Sequence, residues 1–64
     1  MSEKNLEELL RLLGTSEELT YRISEAIKDA QRMGLTQIER ILNTIKSYVE
    51  LLRRELEVKI EDMA

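Results

Sequence analysis

GLTQIERILNTIKSYVELLRRELEVKIEDM, residues 34–63, decides how this chain is read. Leu35, Ile38, Leu42, Ile45, Val49, Leu52, Leu56, Lys59 and Met63 follow one another at spacings of three and four, a heptad seam interrupted only by Lys59. The stretch holds no Pro, and its one Gly stands at its head, so nothing inside breaks a helix. Thr36 precedes Glu39 by three positions, the spacing of a capping box, in which hydroxyl and carboxylate satisfy free backbone N–H groups reciprocally. A helix over 37–62 is expected, about 40 Å long at about 1.5 Å per residue.

Upstream, Leu19, Ile23, Ala26, Ile27, Ala30 and Met33 form one helical stripe ending at Gly34, and Leu6, Leu9, Leu10 and Leu13 form another ending at Gly14. A Gly just past the last periodic residue takes the left-handed cap conformation without a Cβ clash. Thr15 and Glu18 repeat the capping-box spacing directly after Gly14. The expectation is therefore all-α, with three helices over 2–13, 16–33 and 37–62 in a single domain covering residues 1–64. The first two are about 17 and 26 Å long, so neither alone covers the third.

Two packings resolve that mismatch. The first helix folds back beside the second to make a three-helix unit, or the first two run on together as an interrupted hairpin against the third. Either leaves apolar surface bare, and a second copy is its simplest cover. The expected oligomer interface is Ile38, Leu42, Ile45, Val49, Leu52, Leu56 and Met63, with Leu51 and Val58 as an outer contact on the separate seven-residue line that starts at Thr44. Leu12 and Tyr21 also lie off the main stripes, while Ala26 and Ala30 allow a close helix approach. Tyr48 is expected on the core stripe, hydrogen-bonded to Thr20 or Ser24. Asn43, Thr44 and Ser47 form a polar patch beside the seam, suited to fixing register or to facing water.

Composition excludes more than it suggests. With 64 residues and no Cys, His, Trp, Phe or Pro, there is no thiol or imidazole for nucleophilic, acid–base or metal chemistry. The two glycines lie too far apart for a phosphate loop. Carboxylate pairs stand at Glu3 with Glu7 and at Glu57 with Glu61, but without partners to complete a cation shell they read as solvated helix faces. No enzyme, cofactor, metal or small-molecule substrate is expected. No basic leader or apolar span is seen, so a soluble, cytoplasmic chain without membrane contact is expected. Net charge is −3. Residues 20–54 carry seven basic and four acidic side chains, whereas residues 1–19 carry two and five and residues 55–64 one and four.

LEELLRLLGTSEELTYRI, Leu6 to Ile23, resembles the helix-turn-helix of resolvase-like and related bacterial regulators, matching at Gly14, Ser16, Tyr21, Arg22 and Ile23. The resemblance covers under a third of the chain. It implies that Ser16, Tyr21 and Arg22 face DNA, with the third helix as a dimerisation rod. Against that pattern, Glu17 and Glu18 fill the first turn of the recognition helix, where they repel phosphates. A small DNA-binding regulator is therefore the alternative, and nucleic acid is not the expected partner. The leading reading is a non-enzymatic helical oligomerisation or adaptor module that pairs with itself, most simply as a dimer, or with another protein. The lack of Cys, His and Pro and the short Gly-containing loops also suit a de novo designed bundle.

Overall fold

The computed structural model describes residues 3–63. They form two helices, α1 (Glu3–Met33) and α2 (Thr36–Met63), and no strand among the described residues. The expected first and second helices are one. Ser2, where the first was to begin, lies outside the described residues. Of the two expected packings the chain adopts the hairpin, without its interruption.

The reason lies in the face that α1 turns to α2. Leu6, Leu9, Leu13, Ser16, Thr20, Ile23, Ile27 and Ala30 succeed one another at spacings of three and four, and each is buried or half-buried. That seam passes straight through the expected stop. Gly14 sits on the exposed side of the helix, outside the left-handed region, and costs about 1 kcal/mol relative to Ala. Ending the helix there would strip partners from every layer beyond it. Nor does Thr15 cap. Its hydroxyl donates to the Arg11 carbonyl (3.1 Å), as the neighbouring Ser16 hydroxyl does to that of Leu13 (2.7 Å), both inside the helix.

Gly34 behaves as expected. With φ at +71° it closes α1: the Gly34 N–H donates to the Gln31 carbonyl (3.1 Å) and the Leu35 N–H to that of Ala30 (2.9 Å). This pair is the Schellman arrangement that satisfies carbonyls left free at a helix end. The expected Thr36–Glu39 box does not form as drawn. The Glu39 N–H donates to the Leu35 carbonyl (2.9 Å), so the cap falls one residue earlier. The Glu39 carboxylate crosses the turn instead and accepts from the Gln31 amide (2.9 Å).

A two-residue turn between helices of 31 and 28 residues makes an antiparallel rod, 48 × 14 × 10 Å in extent. Its radius of gyration is 14.8 Å, against about 11 Å for a compact chain of this length. The turn also sets the register. Met33 stands level with Thr36, so Ile27 is level with Leu42, Leu13 with Leu56, and Leu6 with Met63. Between these apolar layers come mixed ones, Ala30 with Glu39, Ile23 with Lys46 and Ser16 with Arg53. Among the described residues only Ile27, Ala30, Leu56 and Ser16 are buried, the last to 1% exposure. One seam between two helices encloses little more.

Candidate interaction face

The contact face of α2 is not centred on its apolar seam. Leu42, Val49, Leu56 and Met63 do face α1, and Lys46 and Ile60 complete that side as half-buried residues. Ile38, Ile45 and Leu52 are exposed. At about 100° per residue they fall roughly 40–80° to one side of Leu42. The sequence-derived interface thus divides: four residues are engaged within the chain, three form a bare flank, and Leu51 and Val58 point away at the back of α2. Tyr48, expected in the core, is 68% exposed and farther round the same flank. Its expected partner Thr20 donates its hydroxyl to the Ser16 carbonyl (3.1 Å) instead.

α1 carries a matching flank. Leu12, Leu19, Ala26 and Met33 recur every seven residues beside its contact face, and all but the half-buried Ala26 are exposed. In an antiparallel pair the two flanks on one side of the seam are the corresponding positions of each helix. The open end of the rod shows which side that is. A groove there is lined by Asn5, Leu9 and Leu12 of α1 and by Lys59 and Met63 of α2. Asn5 and Leu12 belong to the α1 flank, and Lys59 is the next seven-residue step after Leu52. Both apolar flanks therefore lie on the same side of the hairpin. Leu12, Leu19, Met33, Ile38, Ile45 and Leu52, each between 41% and 66% exposed, make one face across both helices. Reading the α1 line from sequence required knowing that the helix continues past Gly14.

The other flank is polar over most of its length, with Glu17, Ser24 and Gln31 on α1 and Asn43, Glu50 and Glu57 on α2. The expected polar patch closes on its own helix: the Asn43 amide donates to the Glu39 carbonyl, the Thr44 hydroxyl to that of Arg40, and the Ser47 hydroxyl to that of Asn43. Ion pairs such as Arg22 with Glu18 (3.6 Å) and Arg53 with Glu57 (3.3 Å) are exposed and contribute little to stability.

No protein family, curated protein or solved structure matches the chain. The helix-turn-helix resemblance also loses its geometry. Gly14 lies within an unbroken helix, so the crossing of two helices that sets a recognition helix into a groove is absent. Ser16, one of its three DNA-facing residues, is buried in the hairpin seam, while Tyr21 and Arg22 remain exposed. Among the described residues no group of three or more acidic, His or Cys side chains is placed to hold a metal ion. No helix among them is long and apolar enough to cross a membrane.

Proposed function

We propose that the chain is a non-enzymatic helical oligomerisation module that dimerises through the face formed by Leu12, Leu19, Met33, Ile38, Ile45 and Leu52. The observation that carries this reading is the placement of both apolar flanks on one side of the hairpin. An isolated exposed leucine is ordinary, whereas a continuous apolar face spanning two helices is the mark of an association surface. The surface area supports the same reading. The chain exposes 5129 Å², whereas a compact monomer of its 7.5 kDa mass exposes about 4,200 Å². The excess, about 900 Å², is close to what each partner hides in a standard protein interface. Pairing two hairpins face to face gives a four-helix bundle whose core is built from both copies.

Sedimentation equilibrium across a hundredfold dilution, with helicity followed in parallel, tests the reading. The expected mass is about twice 7.5 kDa, falling toward the monomer on dilution with partial loss of helix. Leu52→Glu shifts the equilibrium to monomer by at least tenfold in Kd, because it places a charge in the interface. Leu51→Glu, on the back of α2, leaves it unchanged. A fully helical monomer at every concentration overturns the proposal, as does equal behaviour of the two variants.

A further inference from the structure

Resting on the dimer reading above, we infer that the second copy lies antiparallel, its turn over the open end of the first. Folding the chain at Gly34 gathers its charge unevenly. Residues 3–19, with two basic and five acidic side chains, lie beside residues 50–63, with three and five. The open half of the rod thus carries an excess of five negative charges. The turn half, residues 20–49, carries five basic and three acidic side chains, an excess of two positive charges. Parallel stacking sets two acidic halves side by side, whereas antiparallel stacking sets each against the partner's basic turn.

The shape of the apolar face favours the same orientation. It runs from Met33 and Ile38 at the turn to Leu12 and Leu52, with its centre near Lys46, and gives way to Asn5, Lys59 and Asp62 beyond. Rotating a copy by two-fold symmetry about that centre brings its Met33 level with Leu12 of the other. Met33 is 66% exposed in the hairpin, and this places it at the mouth of the groove between Leu12 and Lys59. In the parallel arrangement Met33 meets its own counterpart and both grooves stay open.

The chain contains no Cys, so single Cys variants at the exposed positions Gln37 and Glu61 carry fluorophores uniquely. Energy transfer is measured in dimers reassembled from donor-labelled Gln37→Cys and acceptor-labelled Glu61→Cys, and separately from Glu61→Cys carrying donor on one copy and acceptor on the other. At about 1.5 Å per residue, the antiparallel dimer separates the unlike pair by about 10 Å along the rod and the like pair by about 45 Å. The parallel dimer gives about 35 Å and near zero. Stronger transfer in the unlike pair is the expected result. The reverse order in a dimer overturns the orientation while leaving the dimer intact. Absence of transfer in both, with a monomeric mass, removes the dimer reading and this inference with it.

Discussion

Gly14 and Gly34 are each followed within two residues by a Thr and, three residues after that, by a Glu, yet one lies inside a 31-residue helix and the other ends it. The letters beside them do not separate the two cases; the seam does. Continuing α1 past Gly14 brings Ser16, Thr20, Ile23 and Ile27 onto the contact face, each small or apolar enough to pack. Continuing it past Ala30 would bring Gly34 and then Gln37 to the same face, and packing there ends. A helix survives a Gly worth about 1 kcal/mol when several buried layers depend on its continuing. It stops at a Gly when nothing beyond repays extension.

Substitutions at the two glycines sharpen the contrast because neither has an atom within 4 Å of an added Cβ, so backbone conformation alone sets the outcome. The largest effect is expected of Gly14→Pro, which removes a helical hydrogen bond and drives the ring into the preceding turn, at about 3 kcal/mol or more. Circular dichroism should show loss of helix and of a cooperative melt. An unchanged melt would restore a break at that site. Next comes Gly34→Ala, which forces a side chain into the left-handed region at about 1–2 kcal/mol. Its Tm should fall by roughly 4–16 °C in a domain this small. Smallest, and of opposite sign, is Gly14→Ala. It should raise Tm by roughly 2–8 °C, from about 0.5–1 kcal/mol of helix propensity. If both Ala variants moved Tm in one direction, the two glycines would be doing the same job.

The same contrast sorts what was legible in the sequence. α2 was expected over 37–62 and spans Thr36–Met63, because its start is fixed by a glycine whose neighbours offer no alternative seam. The flank residues Ile38, Ile45 and Leu52 were also visible, as members of a heptad. Their separation from Leu42, Val49, Leu56 and Met63 was not, because periodicity reports an apolar stripe and not which part of it a neighbour covers. The stripe of α2 is wider than one helix can hide. Tyr48 falls outside the core for that reason: it lies at the outer edge of the stripe's exposed margin, away from its contact. Leu12, Leu19 and Met33 became a line only once α1 was continuous.

The two-residue turn also dictates the order in which the rod can assemble. Once Gly34 has set the reversal, Ala30 and Glu39 are joined by a loop of only eight intervening residues, and Ile27 with Leu42 by little more. Each later layer closes a short gap beside one already made, so the entropy of closure is met in small steps. The hairpin zips from the turn toward its acidic end. It unzips the other way, and its open-end groove belongs to the layers that form last and fray first.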